Sequence, residues 1–266
     1  MRKLLLSFML MLSFFMLPAQ SMTSALKTYL LSNGGMENIK NDQLRSALIM
    51  VTPNLENGIP DGYTAESLVD AYMNGQMLDD FASMLMPYIA DEGVTVAQIE
   101  ELNALLKTPE GATAVANSIK MNTPEALADM MAVMNRDIMK LITSEEVNVV
   151  KTSASPERQQ LFKGYYSQCG INEMLPNVFR AALAGQSIPD EIVQRMNKYF
   201  ELNLETLVLN ASEGIVTDDD LRFWTKLVQY PQYAQIVKGV NNAMGEPENL
   251  GLTIVTQFLD WAKKMK

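Results

Sequence analysis

PEALADMMAVMNRDIMKLI, residues 124–142, decides the fold class. Leu127, Met130, Met131, Met134, Ile138 and Leu141 recur every three or four residues, which places them on one face of a helix. Thr123 stands directly before Pro124. A cap residue is thus followed by the residue best suited to the first helical position, because proline lacks the amide that would go unpaired there. The stretch reads as a helix with one apolar face, and the same pattern repeats outward in both directions.

Apolar residues keep this spacing through most of the chain, while the strict alternation of a half-buried strand is scarce. Thr95-Val96-Ala97-Gln98, Thr143-Ser144-Glu145-Glu146 and Thr217-Asp218-Asp219-Asp220 have the form of capping boxes. Ser155-Pro156 repeats the Thr123-Pro124 start. Gly34-Gly35, Gly93, Gly170, Gly185, Gly214 and Gly245 each follow a periodic stretch, where a helix can stop. The predicted helices are 22–33, 36–51, 65–74, 77–92, 95–107, 109–121, 124–142, 156–168, 172–184, 189–212, 217–229, 231–244 and 247–264. The expected class is all-α, a bundle of about 12 short to medium helices.

The chain also reads as a tandem duplication. Leu26–Leu48 aligns with Leu161–Leu183, with Ser32/Ser167, Gly35/Gly170, Arg45/Arg180 and Leu48/Leu183 coinciding. Thr95–Ile119 aligns with Thr217–Asn241, with Thr95/Thr217, Leu105/Leu227, Pro109/Pro231 and Val115/Val237 coinciding. The two blocks occur in the same order, and cap, proline and glycine positions agree beyond shared apolar spacing. The Pro/Gly-rich loop at 52–63 is about the size of the extra length in the first copy. The expected organisation is a signal peptide at 1–21, a first helical copy at 22–142, a linker at 143–156 and a second copy at 157–266.

Within the first copy, Thr95 opens an apolar helix that runs to Lys107-Thr108-Pro109-Glu110-Gly111 and a second helix. This resembles the bacterial domain of unknown function numbered 2059, whose members carry a threonine-capped helix ending in a Ser/Thr-Pro-x-Gly step. The Met77–Ile89 and Pro124–Met134 stretches resemble that family's flanking helices. In the second copy Tyr230-Pro231-Gln232-Tyr233 keeps the proline and loses the Thr/Ser and the Gly. The resemblance implies an exported helical domain and no particular activity. The step itself has a plain structural account: proline cannot continue the first helix, and Thr108 can cap the next.

Arg2 and Lys3, the uncharged run Leu4–Leu17 and the small residues Ala19 and Ser21 form the three parts of a secretory signal, cleaved after Ser21. The apolar run is shorter than the ~20 residues a spanning helix needs. The absence of cysteine near the cleavage site argues against a lipid-anchored form. The expected location is periplasmic or extracellular.

Composition excludes whole classes of chemistry. There is no histidine, which removes Ser-His-Asp and Cys-His nucleophile pairs, histidine-based zinc sites and imidazole acid/base catalysis. Cys169 is the only cysteine, so no internal disulfide can form, and a buried thiol is expected. No Gly-rich phosphate loop is present. The net charge of −10 opposes binding to phosphate backbones and anionic headgroups. Lys263-Lys264-Met265-Lys266 is the one basic cluster, and lysines in a last helical turn favour the negative end of its dipole.

The remaining candidates have ordinary readings beside functional ones. Met73, Met77, Met84 and Met86, and Met130, Met131, Met134 and Met139, could offer adaptable apolar surface or fill a core. Asp218-Asp219-Asp220 could hold a cation, but capping accounts for it better. Asp79-Asp80 and Glu100-Glu101 are adjacent, so each pair diverges on a helix and should not share a proton. Arg45 and Arg180 suit ion pairs. Asn210-Ala211-Ser212 has the form of a glycan acceptor, which is uninformative under the bacterial origin that the resemblance implies. No catalytic, cofactor-binding or metal-binding residue and no cofactor is assigned. The expected role is a non-catalytic envelope module that binds a protein partner or an apolar ligand, without nucleic acid or a membrane span. The alternative is a carboxylate-dependent hydrolase.

Overall fold

The computed structural model describes residues 22–36, 40, 42–56, 58–143, 146–169, 189–244 and 247–265, and among these there are helices and turns but no strand. The signal segment expected at 1–21, the helix expected at 172–184, and Gly170, Arg180, Gly185 and Gly245 lie outside them. In chain order the helices are α1 (22–32), α2 (Asp42–Val51), α3 (Ala65–Asn74), α4 (Met77–Asp91), α5 (Val96–Leu106), α6 (Pro109–Met121) and α7 (Pro124–Thr143). There follow α8 (Pro156–Tyr166), α9 (Asp190–Ala211), α10 (Asp218–Val228), α11 (Pro231–Met244) and α12 (Pro247–Lys263). A 3-10 turn, Thr52–Asn54, follows α2.

Several of the start and stop signals act where they were expected. Gln98 accepts from the Thr95 amide at 2.8 Å, and Asp220 from the Thr217 amide at 2.8 Å. Pro109, Pro124, Pro156, Pro231 and Pro247 each open a helix. Gly93 and Gly214 turn the chain after α4 and α9 with φ of +78° and +77°, a conformation that a Cβ disfavours. Two expectations differ. The helix predicted at 36–51 is helical at 36, bends at Lys40 and runs as α2 from Asp42, with 37–39 and 41 outside the described residues. The capping-box form at Thr143 opens no helix: Thr143 ends α7, and 146–154 is non-helical. Its β-branched Val147, Val149 and Val150 are stiff at χ1, and Val147 and Val150 pack against a core rather than onto a helix of their own.

The chain forms two compact units, divided at 105/106 and 241/242 rather than at 143–156. The first comprises α1 to α5 closed by α12; the second comprises α6 to α11. In the first, Leu26, Leu48, Leu68, Leu85, Ile89 and Phe258 are buried. α12 lies on α2, α3 and α4, and Phe258 and Trp261 stand 5.3 Å from the Tyr72 ring. The Tyr72 hydroxyl donates to Asp80 at 3.0 Å; burial first, then the Asp80 charge, pushes it well above its ordinary value. Asn103 donates to the Ala25 carbonyl at 3.0 Å, tying α5 to α1.

In the second unit α7 and α9 run antiparallel. Arg195 donates to the Leu141 carbonyl, Tyr199 meets Asp137, and Leu207 to Ala211 face Ala126 to Val133 across a groove. α6 and α8 both pack on α10. The core holds Met134, Leu141, Phe162, Tyr166, Tyr199, Phe200, Leu204, Leu207 and Leu221. The buried face of α7 is rotated from the predicted one. Met131 is 43% exposed, while the charged Asp137, at 3%, sits in the middle of the face.

Candidate binding grooves in the second unit

The two motifs singled out in the sequence, Thr108-Pro109-Glu110-Gly111 and Asp218-Asp219-Asp220, meet at one groove of about 650 Å³ between the start of α6 and α10. Its aspartates are engaged by their neighbours. The buried Asp220 Oδ2 accepts from the Thr217 amide and hydroxyl, and from Asn117 Nδ2 of α6, each at 2.8 Å. Asp218 pairs with Arg158 at 2.6 Å, and Asp219 with Arg222 at 2.7 Å. The three adjacent carboxylates therefore point to three different partners. No cluster of three carboxylate or thiol groups suited to a metal ion occurs among the described residues. Thr108 accepts from the Gly111 amide at 3.1 Å, so the Thr-Pro-Glu-Gly step is a capped helix junction.

Other paired acids behave in the same way. Asp79 forms an ion pair with Lys27, whereas Asp80 receives Tyr72 and Gln76. Arg45 grips Asp70 through two hydrogen bonds of 2.7 and 3.0 Å, which hold the Asp70 carboxyl below its usual value. Cys169 is buried and its thiol donates to the Tyr166 carbonyl at 3.2 Å. Met73 and Met77 are core residues; Met84 and Met86 are half-buried, and Met86 Sδ accepts from Thr23.

A second groove, of about 310 Å³, is built differently. Its two long walls are α7 and the end of α9, and its third side is the extended strap 146–154. Asn203, fully buried in α9, anchors that strap: its Oδ1 accepts from the Val150 amide at 2.7 Å and its Nδ2 donates to the Asn148 carbonyl at 2.8 Å. Further along, Asn210 donates to the Lys151 carbonyl at 2.9 Å, and Ser153 donates to Glu213 at 3.2 Å. The match of lengths follows from geometry. An extended chain rises ~3.3 Å per residue and a helix ~1.5 Å, so the strap from 148 to 153 keeps pace with α9 from 203 to about 213. Met130, Val133, Val150, Leu207 and Ile215 make the floor apolar, while Asp129, Asn210 and Glu213 are its polar lining.

Beside the strap lies a polar network centred on the buried Asp137 and Tyr199. Asp137 accepts from Arg136 Nε at 3.1 Å, from the Tyr199 hydroxyl at 3.3 Å and from Asn148 at 3.4 Å. Burial pushes the Asp137 carboxyl up, but these donors and the Arg136 charge outweigh it and hold the group below its ordinary value. Burial and the neighbouring carboxylate push the Tyr199 hydroxyl up to about 12, so it remains a donor.

Asn203, Asp137 and Arg158 were not singled out in the sequence, and each carried a signal. Asn203 interrupts the apolar stripe Tyr199, Phe200, Leu204, Leu207, and Asp137 lies one turn from both Met134 and Leu141. Arg158 occupies the first turn of α8, where a cation opposes the helix dipole. Its guanidinium is spent on Asp218, the Val216 carbonyl at 2.7 Å and the Ser212 hydroxyl at 3.2 Å. Comparison with protein-family models, with curated proteins and with solved structures returns no match.

Proposed function

We propose that this chain is an exported, non-catalytic binding module of the bacterial cell envelope, and that the groove between α7, α9 and the strap takes an apolar or amphipathic ligand. The observation that carries the reading is the groove itself. It is open, floored by Met130, Val133, Val150 and Ile215, and walled by two helices and a strap that buried hydrogen bonds hold in place. Its apolar floor beside a few polar groups is the usual composition of a ligand site. The non-catalytic reading rests on the acidic residues, since Asp79, Asp80, Asp218, Asp219 and Asp220 each serve a cap, an ion pair or a helix contact.

The test is direct. Calorimetry should detect binding of n-octanol to the full chain, and Met130→Glu should abolish it without changing far-ultraviolet circular dichroism. Octanol binding that survives Met130→Glu, or is absent in the unaltered chain, sinks the groove reading. An activity screen that finds turnover, lost on replacing one carboxylate without loss of fold, would favour the hydrolase alternative.

Export, duplication and membership of the family numbered 2059 belong to the same proposal. Intact mass of the protein from an envelope fraction should correspond to a chain starting at or near Met22; recovery of the uncleaved chain overturns export. Duplication is supported by matched roles: Thr95 and Thr217 each close a capping box, and Pro109 and Pro231 each open the next helix. Continuing that alignment pairs α7 with α12. Under this reading the repeats have exchanged their closing segments, since α7 of the first repeat packs on α9 of the second, and α12 of the second packs on α3 and α4 of the first.

A further inference from the structure

The polar lining of the α7–α9 groove is made of acceptors. Asp129 and Glu213 are exposed carboxylates, no lysine or arginine lines the groove, and neither acid has a basic partner among the described residues. Glu213 receives only the neutral Ser153 hydroxyl. Asn210 lines the groove beside them. Its Nδ2 faces the Lys151 carbonyl, which can only accept, so the amide orientation is determined and Oδ1 is the free end. That Oδ1 is closed off from the groove by burial, and among the described residues no donor reaches it. An apolar floor beside two uncompensated negative charges asks for one kind of ligand.

Resting on the binding-module reading above, we propose that this groove is a site for a small cationic amphiphile, an aliphatic chain ending in a hydrogen-bond-donating cation such as an ammonium. The chain lies on Met130, Val133, Val150 and Ile215. The head is held by Asp129 and Glu213. The size agrees: 310 Å³ is the space of roughly ten waters, enough for a chain of about eight carbons with its head group. A neutral chain gains only the floor, and an anion is repelled by the two carboxylates.

The experiment compares n-octylammonium, n-octanol, n-octanoate and ethylammonium by calorimetry on the full chain. Octylammonium should bind about tenfold more tightly than octanol, the scale of one or two partly screened charge contacts. Octanoate and ethylammonium should show no binding in the same range. The double variant Asp129→Asn/Glu213→Gln should bring octylammonium down to the level of octanol and leave octanol unchanged. Raising salt should weaken octylammonium alone. Octanoate binding as well as octylammonium, or a double variant that keeps the preference, overturns the cationic assignment while leaving an apolar groove. Failure of octanol and octylammonium together overturns the groove itself.

Discussion

Asn203 shows how much one side chain can decide. A primary amide has one donor end and one acceptor end, and in α9 both are used on the backbone of the strap, at Asn148 and Val150. The side chain does for the strap what a neighbouring strand would do, at a position from which water is excluded. Asn203→Ala strands a strap amide and a strap carbonyl; at about 1–3 kcal/mol for each unmade bond, the loss of stability should be roughly 2–6 kcal/mol. Urea unfolding measures this, and a loss under about 0.5 kcal/mol would mean that the strap finds other partners. Asp137 makes a pH prediction. Its folded carboxyl sits below the ordinary value, so the unfolded chain takes up the proton first as pH falls. The stabilisation is complete above the ordinary carboxylate range and is lost on acidification through the folded value. Asp137→Asn should therefore flatten the fall in urea midpoint between about pH 7 and pH 3 relative to the unaltered chain. An unchanged slope would remove Asp137 from the account. Tyr199 acts at the other end of the scale. Its raised folded value contributes stability that is present below about pH 10 and lost as pH rises towards about 12.

At the scale of elements, helix starts are local chemistry. Thr217 accepts from the Asp220 amide at 3.1 Å and Asp220 returns the bond to the Thr217 amide, so the turn satisfies two orphan donors with its own side chains. Asp220 also reaches Asn117 on α6, which converts a local cap into a contact between helices. Thr217→Ala should cost about 1–2 kcal/mol, at the upper end for a cap, because the Asp220 carboxylate loses a donor as well. Thr64→Ala, at an exposed capping box with no such reach, should cost less in the same thermal melts. Equal losses would mean that the Thr217 hydroxyl bond to Asp220 adds nothing. The strap teaches the opposite lesson. Val147 to Val150 looked like connection, yet it is an element of the second unit because Asn203 and Asn210 hold its backbone.

The whole molecule depends on segments distant in sequence. α12 closes the first unit from the far end of the chain, placing Phe258 and Trp261 against Tyr72. Phe258 is fully buried, so Phe258→Ala should destabilise the first unit by about 3–5 kcal/mol. Trp261 belongs to that unit and Trp224 to the second, so each can be followed alone in a chain carrying Trp224→Phe or Trp261→Phe. The Phe258 variant should shift the Trp261 transition to lower denaturant and leave the Trp224 transition in place. Coincident shifts of both would show that the two units unfold as one.

The helices, their caps and their proline starts were legible in the sequence because each is set by neighbours three or four residues away: an amide needing a cap, a proline lacking one, a glycine accepting a positive φ. Thr95, Thr217, Pro109, Pro231, Gly93 and Gly214 all act in this way. The absence of histidine and the single cysteine likewise bounded the chemistry without any fold. The pairing of α7 with α9, the closure by α12, the strap and both grooves were decided only in three dimensions. A helix with an apolar face can bury it against many partners, and the choice rests on non-local packing and on polar residues such as Asn203, Asp137 and Arg158. In sequence those three stand out only by position, in an apolar stripe or against a helix dipole; their roles follow from the groups that the fold brings to meet them.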